Sequence, residues 1–464
     1  MNMTGKPDKS AETAKNPLKE IIQPFIDVVH APRALWGVNL SYLLEGFCYF
    51  GVLGYLAMYF NNYVGLSDTQ AGPMVGVLTW GITLSMFFFG GRVDKWGVRL
   101  ALIASICLMI IGRVLLAAGP SLGLAAGLWS PLFFVSLAAL LFVVLGYGLY
   151  QPAAYAAVRE FTTPKTASMG YAMLYALMNL GGWLPTFFAP IRKSIGISGA
   201  YWVYVAFTLL GLLLLISILS RKTVERAIEN ARAATGKAEA KTDAGSAKSE
   251  ESFSILRWLK NHPLADKKFA FFIFALMPVQ TLFAHNWLTL PMYVERAYRG
   301  TWVGDHFEAA TNFNPLLIFI LVPIVAAVTQ KRKVYNMMIA GTAVMAAPTF
   351  LLAIGPGFWT LLGYLVLMTV GEAMWQPRFL QYAAEIAPEG RTGAYMGVAQ
   401  FPWFLTKVVA SLYSGWFLTH YCPKEGPTHT ETMWFFYGLI AVLSTVMLVL
   451  AKGWLGKDFK TRAE

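Results

Sequence analysis

The stretch SPLFFVSLAALLFVVLGYGLYQPAAYAAVREFTTP, residues 130–164, decides the fold class. Its first part, 130–157, holds no charged residue and exceeds the length of about twenty apolar residues that a helix needs to cross a bilayer core. Gln151 and then Glu160 lie in the second half of the stretch, where the helix approaches one membrane face. The stretch therefore predicts a membrane-spanning helix.

The rest of the chain has a matching composition. Hydrophobic residues make up 56% of the 464 residues and charged residues only 13%, about half of what soluble domains carry. The formal charge of +12 comes from Lys and Arg in short loops between apolar runs, which is the pattern of cytoplasmic retention and not of nucleic-acid binding. The three cysteines provide no disulfide framework, since Cys48 and Cys107 lie inside apolar runs.

Twelve apolar runs are long enough to span a membrane, and they fall into two groups of six. They cover 35–62, 70–91, 99–119, 130–157, 167–190, 199–220, 269–294, 312–330, 334–354, 358–384, 392–419 and 431–452. We therefore expect an all-α membrane protein whose twelve transmembrane helices form two pseudo-symmetric six-helix bundles. The expected segments are a cytoplasmic N-terminal segment 1–34, a first bundle 35–221, a linker 222–268, a second bundle 269–452 and a tail 453–464.

The linker and the loops orient the chain. Residues 222–268 are rich in Lys, Glu, Ala and Ser, and the linker's end, SFSILRWLKNHP, predicts an amphipathic helix on the membrane surface. Cations follow the second, sixth and eighth runs, whereas 119–130 and 355–357 contain none. Arg192 with Lys193 is an exception that weakens this asymmetry without reversing it. Both termini are therefore expected in the cytoplasm.

An internal repeat supports the division into two halves. The fourth run carries YQPAAYAAVREFTTP and the tenth carries WQPRFLQYAAEIAP. In both, a Glu follows nine residues after the Gln of a Gln-Pro pair: Gln151 to Glu160, and Gln376 to Glu385. We expect the two glutamines to occupy equivalent positions in parallel repeats.

The loop after the second run reads GGRVDKWGVR, residues 90–99. Its Gly, Asp, Lys and Arg positions resemble the loop between helices 2 and 3 of major facilitator proteins, which implies a gate on the cytoplasmic side. Gly90 would allow close helix approach, and Asp94 could bond a helix N-terminus or an Arg. The expected gating residues are Gly90, Arg92, Asp94, Lys95, Arg99 and Glu160, with Glu160 as a partner for Arg92 or Lys95.

A narrower resemblance is to the proton-coupled oligopeptide transporters. HAPRALWGVNLSYLLEGFCYFG, residues 30–51, is similar to that family's helix 1 motif, with its second Glu at Glu45. YAMLYALMNLGG, residues 171–182, is similar to its helix 5 motif and places Tyr175 and Asn179 on matching positions. Gly371-Glu372 resembles the Gly-Glu of helix 10. The resemblance implies a small-molecule solute and a proton as transported partners.

The chain departs from this family at its charged positions. The first Glu of the helix 1 motif is Tyr42, its Arg is Gly46, and the helix 4 Lys is Gln151. The helix 7 Glu falls on Ala284, beside His285. Since the resemblance assigns carboxylate binding and proton transfer to those groups, the solute need not be a peptide.

The remaining ionisable groups in the runs are then the candidates for function. Tyr42, Glu45 and Tyr49 share one helical face, and Glu45 is expected to be the proton-binding acid because no Arg stands beside it. The alternative is a permanently protonated Glu45 in a packing role. Glu372 and Lys407 lie at similar depths and are expected to pair, either structurally or in capture of a solute carboxylate. 

Two further types of group remain open. His285 is either a group of the solute cavity or a satisfied core histidine. Arg113 and Arg378 are expected to snorkel or to pair locally, because they lie nearer the ends of their runs. The full set of candidate solute- or proton-binding residues is Tyr42, Glu45, Tyr49, Gln151, Tyr175, Asn179, His285, Glu372, Gln376 and Lys407.

The functional prediction is a secondary transporter of the bacterial inner membrane that works by alternating access as a monomer. It would take up a small organic solute, peptide-like as the leading hypothesis, together with protons. An exporter of amphipathic compounds or lipids and a non-transporting receptor are the alternatives. The sequence has no P-loop, dinucleotide fingerprint, metal-ligand cluster or nucleophile–base pair, so neither an enzyme nor a cofactor or metal site is expected.

Overall fold

The computed structural model describes residues 22–23, 26–234, 262–305, 313–423 and 425–455. Throughout these ranges the regular structure is helical, without a strand. The helices of the first half are α1 Arg33–Asn62, α2 Asp68–Trp96, α3 Val98–Ala118, α4 Pro131–Phe161, α5 Ala167–Trp183, α6 Ala189–Ile218 and α7 Arg221–Ala234. Short 3-10 turns at Gly119–Ser121 and Leu184–Phe188 follow α3 and α5.

The second half begins with a 3-10 turn at Pro263–Ala265. Its helices are α8 Lys267–Ala275, α9 Met277–Leu288, α10 Leu290–Ala297, α11 Trp302–Asp305, α12 Phe313–Thr329, α13 Val334–Ala346, α14 Thr349–Leu352, α15 Phe358–Glu385, α16 Thr392–Ala399, α17 Phe401–Tyr421, α18 Thr430–Leu450 and α19 Lys452–Leu455. Across the described ranges, nine helical stretches are long and apolar enough to cross a membrane. The other predicted spans coincide with α5, with α12 and with the pair α16–α17.

Prolines explain why some predicted spans are broken into shorter helices. The predicted run 269–294 is interrupted at Leu276 and at Thr289, two residues before Pro278 and Pro291. The run 392–419 is interrupted at Gln400, two residues before Pro402. A proline supplies no N–H to the preceding turn and clashes with it, so each helix restarts with the proline in its first turn.

Two boundaries differ from the sequence prediction. Residues 221–234 of the expected solvated linker form α7, which packs on α1 and α4 through the buried Ala227 and Ala231. An amphipathic helix gains stability by burying its apolar face, here the two alanines. The polar composition of the linker as a whole gave no indication of this face. The predicted surface helix SFSILRWLKNHP lies, apart from its last two residues, outside the described residues.

Glycines set the closest helix contacts within each half. A Cβ at Gly112 of α3 would lie 2.5 Å from the carbonyl oxygen of Ala139 on α4. In the second half, a Cβ at Gly371 of α15 would lie 2.2 Å from the backbone nitrogen of Met345 on α13. Such contacts let helices pack by backbone approach in lipid, where apolar side chains gain nothing from leaving solvent.

The two halves meet along a few helices. α2 contacts α16 and α17, and α5 contacts α12 and α15. α4 also contacts α15 and α16. We call the end of the molecule that carries the loops 92–99, 162–166, 330–333 and 386–391 the basic end. The residues between these helices, at mid-depth and at the basic end, form the candidate site.

Candidate functional site

Glu45 of α1 lies in a buried ion pair inside the first half. Arg113 of α3 donates through Nη1 to Glu45 Oε2 at 2.8 Å, and its Nη2 contacts Glu45 Oε1. The same Nη1 donates to Thr208 Oγ1 of α6 at 2.6 Å, and the Tyr147 hydroxyl of α4 donates to Glu45 Oε1 at 2.5 Å. Glu45 and Arg113 are 3% and 1% exposed, so the pair is closed off from solvent.

This pair corrects two predictions. Glu45 was expected to lack a cation because Gly46 stands where the resemblance places an Arg, but α3 supplies one. Arg113 was expected to snorkel or to pair with a nearby group, but it is buried and pairs across three helices. The sequence did carry a signal, because Glu45 lies twelve residues into α1 and Arg113 fifteen into α3. At 1.5 Å per residue these are about 18 and 22 Å from the basic end.

Tyr42 and Tyr49, which share a face of α1 with Glu45, pack on tyrosines of α4. Tyr42 is stacked on Tyr150 with ring centroids 5.7 Å apart, and Tyr49 packs on Tyr147 at 4.9 Å. The predicted polar face of α1 is therefore an aromatic contact with α4. Tyr147, one position that the sequence analysis missed, takes the hydroxyl role at Glu45.

Glu372 of α15 has a different environment. Tyr175 of α5, in the first half, donates its hydroxyl to Glu372 Oε1 at 2.6 Å. Asn314 of α12 donates to Glu372 Oε2 at 2.8 Å and to Thr369 Oγ1 at 3.0 Å. Asn179 supports this arrangement from one turn along α5, where it donates to the Tyr175 carbonyl at 3.0 Å. Both donors to the carboxylate are neutral, and one of them comes from the opposite half.

The expected Glu372–Lys407 pair is absent from this conformation. Lys407 of α17 places its Nζ 3.6 Å from the centroid of the Trp403 ring, and among the described residues no carboxylate lies within ion-pair distance of it. Glu372 lies 13 residues before the end of α15 and Lys407 lies 15 residues beyond Thr392, but position along two helices does not fix the direction in which each side chain points. α17 turns Lys407 toward Trp403 instead of α15.

His285 of α9 is a satisfied core histidine. Its Nδ1 is 2.9 Å from Thr289 Oγ1 and its Nε2 is 3.0 Å from the Tyr413 hydroxyl. Its ring stacks on Tyr437 with centroids 3.8 Å apart. All four groups belong to the second half, so the structure favours the core alternative over a cavity role.

Arg378 pairs locally, as expected, although it is buried rather than at the surface. It donates to Gln381 Oε1 at 3.1 Å and contacts Thr329 Oγ1 of α12. Nearby, Gln151 lies ten residues before the end of α4 and Gln376 nine residues before the end of α15. Each stands directly before an in-helix proline, and their equivalence under superposition stays a prediction.

Asp94 closes the basic end by bonding the start of α16. Its carboxylate accepts hydrogen bonds from the backbone N–H groups of Gly393 at 2.7 Å and Ala394 at 3.1 Å. A carboxylate is favourable there because the helix N-terminus carries partial positive charge. The expectation that Asp94 can bond a helix N-terminus is confirmed, and the helix belongs to the opposite half.

Gly90 allows this approach. A Cβ at Gly90 would lie 2.7 Å from the Gly393 carbonyl oxygen, and one at Gly393 would lie 2.4 Å from the Gly90 oxygen. A Cβ at Gly397, one turn further along α16, would lie 2.3 Å from the Met86 carbonyl oxygen of α2. The predicted close approach at Gly90 is confirmed, and Gly393 and Gly397 are the partners that the sequence analysis missed.

Three further arginines lie near the basic end, and two of them donate to backbone carbonyl groups. Arg159 of α4, another missed residue, contacts Thr392 Oγ1 and donates to the Ala387 carbonyl at 2.9 Å across the halves. Arg99 donates to the Leu219 carbonyl at 2.6 Å, within the first half. Arg92 lies 6.0 Å from the Phe89 ring centroid. The proposed pairing of Glu160 with Arg92 or Lys95 stays a prediction.

These contacts define a class of protein. Over the described ranges, no group of three or more His, Cys, Asp or Glu residues is arranged to hold a metal ion. The chain instead places a carboxylate at mid-depth between two helical halves and a set of breakable contacts at one end. That is the arrangement of a membrane transporter that alternates between two openings.

The chain belongs to the Major Facilitator Superfamily, whose family model matches residues 38–411. It is therefore a secondary transporter and an integral membrane protein. It is 21% identical over 483 residues to dipeptide and tripeptide permease B of Yersinia enterocolitica, a match that covers 91% of this chain and 94% of that permease. A match at 25% identity to the permease of the same name from Edwardsiella piscicida covers 41% of this chain and only 37% of that relative.

Solved structures agree on the fold. A proton:xylose symporter bound to 6-bromo-6-deoxy-D-glucose aligns with a TM-score of 0.65 at 18% identity, covering 91% of this chain and 95% of the symporter. A POT family transporter in complex with a thioalcohol-conjugated peptide aligns with a TM-score of 0.60 at 17% identity, covering 91% and 97%. The resemblance to the oligopeptide transporter family seen in the sequence is thus confirmed.

Proposed function

We propose that the chain forms twelve membrane-spanning helices in two six-helix bundles, 35–221 and 269–452, with both termini in the cytoplasm. The nine long apolar helical stretches, together with α5, α12 and the pair α16–α17, support this count. The excess of Lys and Arg at the basic end supports a cytoplasmic position for that end. A monomer in the inner membrane of a bacterium fits this topology.

With this orientation, the described conformation is closed on the cytoplasmic side. The contacts of Asp94 with α16 and of Arg159 with Thr392 and Ala387 join the two halves there. Opening to the cytoplasm must break them, and closure re-forms them. Of the gate residues in the sequence prediction, Asp94 would then act by bonding backbone across the halves, and Gly90 would allow the close approach.

The transported solute is proposed to be small and peptide-like, with uptake driven by protons. The names of the permease relatives support this class, and both matches are distant enough that the solute remains open to test. The chain lacks cations at Gly46 and Gln151, where the family resemblance expects them. The binding chemistry must therefore rest on other residues of the chain.

Glu372 is the acid that we propose to bind the coupling proton, in place of Glu45. The observation that carries this proposal is the Tyr175–Glu372 hydrogen bond, which joins the two halves through a buried carboxylate with neutral donors. An ionised carboxylate in the membrane interior is costly unless a cation compensates it. Glu45 has such a cation in Arg113, whereas among the described residues Glu372 has only Tyr175 and Asn314 within hydrogen-bond distance.

The coupling of proton and solute then follows, because the protonated and ionised forms of Glu372 favour different conformations of the transporter. A protonated Glu372 is tolerated while it is enclosed between α5, α12 and α15. An ionised Glu372 favours conformations in which the halves separate and water reaches the carboxylate. Passage through the enclosed state therefore carries the proton along with the solute, because each form shifts the population of the two openings.

Transport by purified protein in liposomes tests this assignment, with the dipeptide alanyl-alanine as probe. Glu372→Gln should abolish accumulation driven by a proton gradient while exchange of labelled for unlabelled dipeptide continues. Glu431→Gln is the matched control. Glu431 lies at the end of α18 that is far from the gate, and this variant should accumulate the dipeptide normally. Undiminished accumulation in Glu372→Gln would contradict the assignment, and gradient-driven efflux from wild type would favour the exporter hypothesis.

A further inference from the structure

α17 presents three different faces along its length. Thr406, Ala410 and Tyr413 are on the side packed into the second half, where Tyr413 reaches His285. Leu412 and Trp416 are 79% and 53% exposed and large, as expected for side chains that face lipid. The third face is the one that carries Lys407.

The Lys407 face is polar and open. Ser411 and Gly415 follow at the four-residue spacing that places them above Lys407 on one side of the helix; both are exposed, and nothing lies within 4 Å of a Cβ built at Gly415. At 100° per residue, Lys407 itself is about 140° away from Leu412 and about 180° away from Trp416. α17 also contacts α2 of the first half. Lys407 therefore points away from the lipid-facing side of a helix that also packs against the first half.

The Lys407 ammonium contacts Trp403, and no carboxylate in the described part of the chain neutralises it. The Trp403 ring, one turn earlier, lies 3.6 Å from Nζ and gives a cation–π contact. A ring accepts no conventional hydrogen bonds, so the N–H donors of the ammonium still require oxygen acceptors. Lys407 also lies fifteen residues beyond Thr392, about 22 Å from the basic end, where an uncompensated cation is costly.

The first half offers no equivalent cation at this depth among its described residues. Its buried Arg113 is occupied by Glu45 and Thr208. An anionic group that enters between the halves would therefore find its charge partner on α17. We propose that Lys407 is the anion subsite of this transporter and that its solutes carry a carboxylate, which Lys407 binds while Trp403 positions the ammonium.

This inference rests on the proposed function and is tested with matched probes. Binding of alanyl-alanine is compared with binding of alanyl-alanine amide, which lacks only the carboxylate, by calorimetry on purified protein. Wild type should favour the acid by about tenfold or more, as expected for a charge-assisted hydrogen bond. Lys407→Gln should lose that preference by weakening the acid alone, and Lys407→Arg should keep it.

Equal binding of acid and amide by wild type, or a preference that survives Lys407→Gln, would overturn the anion subsite while the peptide-like function stands. Binding of neither probe by wild type would overturn both. These outcomes separate a failure of the inference from a failure of the proposed function.

A second measurement tests the face itself without any solute. In a background with Cys48, Cys107 and Cys422 replaced by alanine, Lys407→Cys should react with a charged, membrane-impermeant thiol reagent added from the side opposite the basic end. Val409→Cys is the control. Val409 lies at nearly the same depth, its side chain is 40% exposed on the lipid-facing side of α17, and a cysteine there should be protected from the reagent. Protection of the Lys407→Cys variant as well would contradict a solute-facing Lys407.

Discussion

The two halves of the molecule each bury a glutamate at mid-depth, but they treat it differently. In the first half, Glu45 is compensated by Arg113, and the cluster that the two form with Tyr147 and Thr208 lies on α1, α3, α4 and α6. In the second half, Glu372 accepts hydrogen bonds from two neutral groups, and one of them, Tyr175, comes from the other half. Lys407, the cation at matching depth, lies over Trp403 instead.

The difference teaches where coupling can reside. A group whose partners all move together as one unit keeps its environment when the halves rock, so it stabilises both openings alike. A group whose partners come from both halves changes its environment in every cycle, so its protonation can favour one opening. By this criterion Glu45 stabilises the first half, and Glu372 couples.

The largest effect should come from breaking the first-half pair. Arg113→Leu leaves the Glu45 carboxylate buried without its cation and should lower the free energy of unfolding by about 3–5 kcal/mol. Unfolding in a denaturing detergent measures it, with Arg221→Leu at the exposed start of α7 as control. The double variant Glu45→Gln with Arg113→Leu should be more stable than Arg113→Leu alone. A double variant that is less stable would show that the pair is not what Arg113 provides.

The next effect is steric and acts between the halves. Gly393→Ala places a methyl group 2.4 Å from the Gly90 oxygen and should shift the population away from the closed basic end, by about 1–3 kcal/mol. Distances between spin labels on Lys95→Cys and Lys333→Cys, one in each half, report the opening. Gly91→Ala is the matched control, because its methyl group would lie 3.7 Å from its nearest neighbour. Unchanged distances in Gly393→Ala would show that this contact does not hold the gate.

A smaller shift is expected from the charge at the same gate. Asp94→Asn keeps an acceptor oxygen for α16 but removes the charge from the helix N-terminus, which is worth about 0.3–1 kcal/mol. Asp94→Ala removes both bonds and should open the basic end further in the same spin-label measurement. Equal shifts in the two variants would contradict this, because they would show that an uncharged acceptor oxygen at position 94 contributes nothing to the closed gate.

An effect of comparably small size concerns the ring beneath Lys407. Trp403→Leu removes a cation–π contact of about 0.5–1 kcal/mol and should weaken binding of alanyl-alanine by about two- to fivefold, without affecting the amide. Calorimetry measures both affinities. Trp416→Leu, on the lipid-facing side of the same helix, should leave both unchanged. An equal loss for acid and amide would contradict a positioning role for Trp403.

Much of the fold followed from the sequence because bilayer thickness and proline chemistry act locally along the chain. The apolar runs predicted the helices closely, and Pro278, Pro291 and Pro402 marked the breaks. Depth is also readable from a sequence, since each helical residue advances a fixed distance. The common level of Lys407 and Glu372 rests on this arithmetic and stays a prediction.

The direction of a side chain around its helix axis was not readable in this way. It depends on which neighbouring helix packs where, and that is a property of the assembled bundle. Arg113 and Glu45 share a depth as closely as Lys407 and Glu372 do, yet only the first two meet. The resemblance to a known family misled here. It places the cation at position 46 of α1, where this chain has Gly, whereas Arg113 of α3 supplies the cation.

The most direct test of the central claim reads the protonation state of the two glutamates. Infrared difference spectra of purified protein, recorded on changing the pH, resolve the carbonyl stretch of a protonated carboxylic acid, which a carboxylate lacks. Our account predicts that Glu372→Gln removes a titrating carboxylic-acid band that Glu45→Gln retains. A band that disappears in Glu45→Gln and persists in Glu372→Gln would contradict it.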